Sequence, residues 1–431
     1  MGSLGGAGGG IAQGQESSLS EAFPLTQLPP VQFRPYSPLL YNEVSSSVKA
    51  VFLSLPLHGH INPTLPLVRE LVERGDRIAY FSTPAFAAKI EQAGAQYRPY
   101  RNAFLQDLQR LPERLDEVSG LLMRATADLL NGELDGWRAE RPDYLITDSV
   151  APWGQWAAKL MQVPVVTSVP TLAVNRHVMK YAFTHGVRPE SASRFFTKLR
   201  YMMEASRVRR QLVRRFGVRG PGIMELISGS SGLNIVYGSR GFQPCAATFD
   251  DRFLFVGPST PLVNAGITHP AVVYVSLGTL FNNDAAFYRN CYEAFGGEDY
   301  QVILSAPSCE EPAPANFTVH ANVSQIEVLQ RATAFVSHGG MNSVNESLSY
   351  GVPMVVIPQM GEQMIISRRV EELGAGLYLA KEEVTAGKLR EAVRRLLAER
   401  RFREQAAQVG QSFQTAGGAA RAAEAIRKFT R

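Results

Sequence analysis

Residues 48–55, VKAVFLSL, form a short and nearly continuous apolar run, the pattern of a strand buried on both faces of a parallel sheet. Behind it, Asn62 and Pro63 stand where an N-cap and a first helical residue belong. Leu65, Val68, Leu71 and Val72 then recur at helical spacing, and Gly75 closes the segment. RIAYFST (77–83) reads as the next strand and 84–94 as the next helix, and 144–147 and 163–168 repeat the alternation. A second series of apolar runs begins near Pro270, at 272–277, 301–305, 334–337 and 354–357, and beyond Thr385 the chain reads as helices to the end. Strands alternating with helices of this length predict βαβ units and mostly parallel sheets. The expected fold is therefore α/β, two doubly wound, Rossmann-like domains facing across a cleft. Its segments are an extension at 1–47, a first domain at 48–256, a linker at 257–269 holding Pro258, Pro261 and Gly266, and a second domain at 270–415, followed by 416–431.

Composition narrows the class without naming it. A chain of 431 residues with 45% hydrophobic and 19% charged positions has material for two or three cores and is not a disordered protein. Residues 1–47 differ from the rest: 7 Gly, 5 Pro and 8 Ser and no hydrophobic period predict a disordered or loosely attached extension. It lacks the basic start and apolar core of a secretory signal, and Gly6 stands where a myristoylation motif wants Ser or Thr. Three cysteines without a CxxC pair argue against a disulfide framework or a zinc site and fit a reducing, cytoplasmic compartment. No run approaches the ~20 apolar residues of a membrane span.

The formal net charge of +5 has a local source. Residues 194–219 carry nine Lys or Arg against Glu204 alone, with Leu199, Met202, Met203 and Leu212 interleaved. Such a helix either lies on an anionic membrane surface or caps the first domain with its apolar stripe while its arginines face water. The second reading is preferred. No nucleic-acid reading module accompanies the charge, so no nucleic-acid partner is expected.

Chemistry concentrates behind the predicted strands. The segment LPLHGHINP (55–63) leaves the first strand without the GxGxxG of a dinucleotide site. It carries His58 and His60, either of which suits a general base near neutral pH. Asp148 follows the strand at 144–147, where a carboxylate can fix an imidazole tautomer or, more simply, cap a helix starting near Ala151. SHGGMNSVNESLSYGVP (337–353) puts His338 and two glycines, Gly339 and Gly340, before a helix from Met341 to Tyr350. The start of such a helix is an anion site, with Asn342 and Ser343 as added donors and Glu346 one turn on to accept from ribose. SLGTLFN (276–282), with Ser276 and Thr279, and PQMGEQ (358–363), with Glu362 and Gln363, converge on the same edge.

Together, GHINP, VYVSLGTLFNN, NVSQIEVL, NIVYGSRGFQP and HGGMNSVNESLSYGVPMVVIPQMGEQ resemble the family 1 nucleotide-sugar glycosyltransferases of GT-B architecture, nearest to their bacterial macrolide-glycosyltransferase-like subgroup. The resemblance spans roughly residues 48–428. It implies His60, not His58, as the base and Asp148 as its partner. It assigns the diphosphate to His338, Gly340, Asn342 and Ser343, ribose to Glu346, the sugar to Glu362 and Gln363, the base-binding edge to Val323–Gln325, and a phosphate-proximal loop to Ser276 and Thr279. Asn322 replaces the aromatic residue that usually precedes the base-binding edge, and Ser324 the usual proline, which leaves uracil and thymine donors both open. In that architecture 416–431 is expected to pack back on the first domain.

The implied reaction is inverting, uses no metal and needs no cofactor besides its UDP- or TDP-sugar donor; no DxD metal motif appears in a suitable context. The acceptor expected is a hydrophobic small molecule such as a macrolide or flavonoid, in a pocket walled by Phe104, Met123 and Met202. The alternatives are a lipid glycosyltransferase seated on a membrane by 194–219, and a non-catalytic helper of the same fold.

Overall fold

The computed structural model describes residues 47–106, 115–185, 192–222, 225, 229, 232–258, 270–278, 284–306, 312–359 and 361–430. The extension expected at 1–47, save Ser47, and the linker from 259 to 269 lie outside the described residues.

The first apolar series builds a seven-stranded sheet of β1 (Lys49–Leu53), β2 (Arg77–Ser82), β3 (Gln96–Pro99), β4 (Tyr144–Asp148), β5 (Val165–Val169), β6 (Leu233–Val236) and β7 (Phe253–Phe255). Its order is β3-β2-β1-β4-β5-β6-β7. The second series builds a six-stranded sheet of β8 (Val272–Ser276), β9 (Gln301–Ser305), β10 (Phe317–His320), β11 (Ala334–Ser337), β12 (Met354–Val356) and β13 (Gly376–Tyr378), in the order β10-β9-β8-β11-β12-β13. Every strand pair in both sheets is parallel. Helices cover both faces, so β1, β4, β5 and β8 are almost wholly buried. Residues 47–431 cluster as one compact unit containing both sheets.

Of the strands missing from the sequence expectation, β3, β7, β10 and β13 are the outermost of their sheets and β6 lies just inside β7. β3 and β10 are outermost and only half-buried. A strand covered on one side needs no continuous apolar run, so QYRP and FTVH carry no such signal.

The first β–α connection also departs from expectation. The helix does not begin at an Asn62 cap. A helical turn, α1 (His58–Ile61), starts behind an extended Leu57, and Asn62–Thr64 tighten into a 3-10 turn before α2 (Leu65–Glu73). Pro63 has no N–H to return to the carbonyl of Gly59, so the regular ladder breaks at that point. Both histidines therefore ride on a helical turn and not on an open loop.

The larger helices follow the same burial logic. α3 (Leu115–Gly132) and α4 (Pro152–Met161) cover one face of the first sheet, after which come α5 (Arg176–Thr184) and α6 (Ala192–Phe216). On α6, Ala205 and Leu212 enter the first core and Val208, Val213 and Phe216 pack against it. Glu204 pairs with Arg124 of α3, while Arg207, Arg210 and Arg214 are exposed. The apolar stripe thus caps the core. Among the described residues no helix is long and apolar enough to cross a membrane.

The second half supplies α7 (Gln325–Leu329), α8 (Met341–Ser349), α9 (Gly361–Glu372) and α10 (Arg400–Gln414), and the chain ends in α11 (Gly418–Thr430). That last helix crosses back to the first sheet. Ala422, Ala423 and Ile426 are buried among Ile61, Leu67, Val68 and Ile235. Arg427 approaches Asp76 at 3.7 Å, and Asp76 also accepts from the Tyr144 hydroxyl at 2.8 Å. Ile426→Ala is expected to destabilise the chain by about 2–4 kcal/mol through the cavity it leaves. The check is a lower urea midpoint with an unchanged slope.

Candidate active site

Parallel pairing sends the carboxyl ends of all strands in a sheet to one edge. In the first sheet the chain leaves β1 toward β2 on one side and β4 lies on the other, so the loops behind β1 and β4 diverge and leave a crevice. His60 comes from behind β1 and Asp148 from the end of β4. His60 Nδ1 lies 2.8 Å from Asp148 Oδ2. Asp148 is 1% exposed, and its other oxygen accepts the Val150 N–H at 2.8 Å. The helix behind it, α4, has Ala151 as its N-cap with no side-chain bond. The cap that spacing alone preferred for Asp148 is therefore not formed; its carboxylate is divided between a local turn and the imidazole. Because a carboxylate only accepts, the His60 proton sits on Nδ1 and the Nε2 lone pair is free.

The two histidines are separated by their surroundings. The His58 ring packs edge-on against Phe86 with centroids 4.8 Å apart. Burial, and to a smaller extent Lys89, hold its pKa below the ordinary value. For His60, burial opposes charge, but the Asp148 carboxylate and its hydrogen bond, with help from Glu362, leave the pKa raised. His60 is the one built to accept a proton.

The second sheet repeats the arrangement. β8 lies between β9 and β11, so the segments behind β8 and β11 flank another crevice. Ser276 ends β8, and its hydroxyl accepts the Gly278 N–H at 3.3 Å. Thr279 lies outside the described residues. Behind β11, the His338 ring sits between two glycines. A Cβ on Gly278, whose φ is +78°, would come within 2.6 Å of the ring, and one on Gly340 within 2.5 Å. Burial with no charged partner depresses the His338 pKa to about 4, and its Nδ1 has no hydrogen-bond partner among the described residues. Gly340 is the N-cap of α8 and makes no side-chain cap bond. The first-turn N–H groups of α8 are left for a ligand, as at any helix start.

Asn342, Ser343 and Glu346 share one side of α8. Gln325, the first residue of α7, donates through Nε2 to Glu346 Oε2 at 2.6 Å and lies 3.3 Å from Ser343 Oγ. Burial raises the Glu346 pKa, and the Gln325 bond moderates the rise. Val323 is partly buried against the core that also contains Met341. The two crevices meet: Asn342 Nδ2 donates to the Gly59 carbonyl at 3.3 Å, the acceptor that Pro63 leaves free. Glu362, on the first turn of α9, is close enough to His60 for each to shift the other. Its pKa is raised, chiefly by burial, against the opposing effects of His60 and the Thr171 hydroxyl.

Comparison with known proteins bears on this arrangement. Residues 296–423 match the family model described as erythromycin biosynthesis protein CIII-like, C-terminal domain. The NDP-glycosyltransferase YjiC of Bacillus subtilis (strain 168) is 35% identical over 392 residues, covering 88% of this chain and 96% of the relative. The chain belongs to the nucleotide-sugar glycosyltransferases. The demethyllactenocin mycarosyltransferase of Streptomyces fradiae is 31% identical, with 87% of this chain and 85% of that one covered. The crystal structure of CalG4, the calicheamicin glycosyltransferase, superposes with a TM-score of 0.74 at 29% identity over 89% of this chain and 98% of that one. The GT-B architecture is thus that of the natural-product glycosyltransferases.

Not every expected residue of the glycosyltransferase faces the cleft. Gln363 is buried, and its Oε1 accepts the Gln359 N–H at 2.8 Å, which secures the segment before α9. Met123 is 1% exposed within the first core, on the face of α3 turned to the sheet, so it walls no pocket. Helical periodicity explains this: Met123 shares its face with Ala127 and Leu130, which pack in the same core. Met202 is 49% exposed on α6. Phe104 belongs to the short helix Ala103–Gln106, and its side chain lies outside the described residues. Sequence reasoning passed over Thr171, whose polar neighbour across the cleft is nearly two hundred positions away in the chain.

Histidine titration followed by NMR is expected to find His60 above its ordinary pKa and His338 near 4. Asp148→Asn removes the two largest effects that raise His60 and leaves only Glu362 against the larger effect of burial, so its pKa is expected to fall below the ordinary value. A His60 pKa unchanged in that variant contradicts the assigned cause.

Proposed function

We propose that this glycosyltransferase moves a hexose from a UDP- or TDP-sugar to a hydroxyl of a hydrophobic small molecule such as a macrolide or flavonoid, inverting the anomeric carbon and using no metal ion. The observation that carries this reading is the His60–Asp148 pair lying beside the open start of α8 in one cleft. The acceptor O–H gives its proton to His60 Nε2 as its oxygen attacks the anomeric carbon. The bond from that carbon to the diphosphate oxygen breaks, and its electron pair leaves with the diphosphate. Asp148 stabilises the imidazolium that forms. The departing charge is met by the N–H groups and dipole of α8, by Ser343, and by His338, which as a neutral imidazole still donates one N–H. An α-linked donor gives a β-glycoside. Glu346 suits a ribose hydroxyl, and Glu362 a sugar hydroxyl beside the base. A macrolide or related acceptor is supported by relatives that are themselves named for mycarosyl transfer and calicheamicin glycosylation. A helper role is disfavoured by a base that keeps its carboxylate partner.

His60→Ala is expected to lower kcat by on the order of a thousandfold while the affinity for UDP stays within about twofold. Product NMR is expected to show an inverted anomer, and EDTA to leave turnover unchanged. Because the base works only when neutral and its pKa is raised, kcat/KM is expected to fall on the acid side from above the ordinary histidine pKa. Asp148→Asn moves that limb to lower pH as it lowers kcat. Retention of configuration, or full turnover by His60→Ala, refutes the proposal.

A further inference from the structure

Helix α8 has two working faces. Asn342, Ser343 and Glu346 belong to the side assigned above to the donor. Met341, Asn345 and Leu348, spaced at i, i+4 and i+7, form another side, and all three are buried. Met341 rests on the first half of the molecule at Gly238, where a Cβ would lie 3.3 Å from its methyl. One turn on, Asn345 Nδ2 donates to the carbonyl of Tyr237 at 3.0 Å.

Tyr237 leads directly to the catalytic edge of the first sheet. It follows β6, and its N–H donates to Val169 at 3.2 Å. Its hydroxyl accepts from Ser168 at 3.4 Å. Ser168 is the register partner of Asp148 across β4 and β5, and Asp148 holds His60. The anion-binding helix is thus tied through one carbonyl to the strands that carry the base.

Asn345 is a poor choice for stability alone. Its Oδ1 is buried and has no partner among the described residues, a cost that an apolar side chain of similar volume avoids. Arg369 of α9, on the carbonyls of Gly241 and Phe242, and Ser412 of α10, on Ser239, also join the two halves, but among the contacts that α8 and Glu362 make across the cleft Asn345 differs. Asn342 to Gly59 and Glu362 to Thr171 engage side chains assigned to the donor, so those contacts compete with substrate. Asn345 lies on the side of α8 turned away from the donor, and its bond to Tyr237 survives when the site fills.

We infer that Asn345 is a positioning residue, fixing the diphosphate-binding end of α8 at the distance and angle from His60 that transfer requires. This rests on the reading of α8 as the donor-phosphate site. A shift of about 1 Å between reacting groups can lower a rate on the order of a hundredfold without weakening binding.

The test is Asn345→Leu in the full chain. Expected are a kcat lower by roughly ten- to a hundredfold, a Kd for UDP within about twofold of the parent, and only a small change in melting temperature, since relief of the unpartnered Oδ1 is set against the Tyr237 carbonyl left without its donor. Asn345→Gln keeps an amide donor and is expected to recover part of kcat. Pulsed dipolar distances between spin labels at exposed Glu91 and Lys381 are expected to broaden in the leucine variant. A leucine variant with wild-type kcat, or one in which kcat and UDP affinity fall together with melting temperature, overturns the inference. Should that variant not fold, the same split between kcat and Kd in Asn345→Gln decides. A parent chain that turns over no donor negates the donor reading, and the label distances then decide the clamp by themselves.

Discussion

In a parallel sheet every strand delivers its carboxyl end, and the segment behind it, to the same edge. Both sheets here obey that rule with no antiparallel exception among the described strands. In each, the chain changes direction beside its first strand, β1 or β8, so that a crevice opens at a position set by topology and not by the side chains that later line it. His60 and Asp148 fill the first crevice; His338 and the start of α8 fill the second. Since 47–431 pack as one unit, the two crevices become a single cleft with the His60–Asp148 pair on one wall and the open start of α8 on the other.

Within that cleft the same side chain is given opposite characters by its neighbours. Burial disfavours the charged form of both His60 and His338. At His338 nothing offsets it, and the ring stays neutral, held edgewise between two glycines that leave room for nothing larger. At His60 the buried carboxylate of Asp148 more than offsets it. One imidazole is therefore held neutral, and the protonated form of the other is stabilised. Glu362 adds a third shift, since burial raises its pKa while His60 opposes the rise.

Much of this was legible in advance, for identifiable reasons. Continuous apolar runs revealed the central strands because those strands are covered on both faces, while β3 and β10 escaped notice because an outer strand is not. The His338 segment stood out because an anion site needs small residues and short polar side chains in consecutive positions. Met123 was misjudged because an apolar residue on a helix looks the same whether it faces a pocket or a core. Asn62 was misjudged because Asn-Pro is a common helix start, and only the path of the backbone shows that the helical turn begins four residues earlier.

The sequence by itself determined the two-sheet architecture, the polarity of its edges and the residue types available there, because periodicity and local turn chemistry are properties of neighbours along the chain. The residue pattern left His58 and His60 level and the family resemblance pointed to His60; only the tertiary structure shows which of them meets a carboxylate, 88 positions away. It likewise decided that Asn345 reaches Tyr237, 108 positions distant, and that Gln363 faces inward. Proton affinities and cross-cleft hydrogen bonds follow from desolvation and distance, which exist only once strands remote in sequence lie side by side.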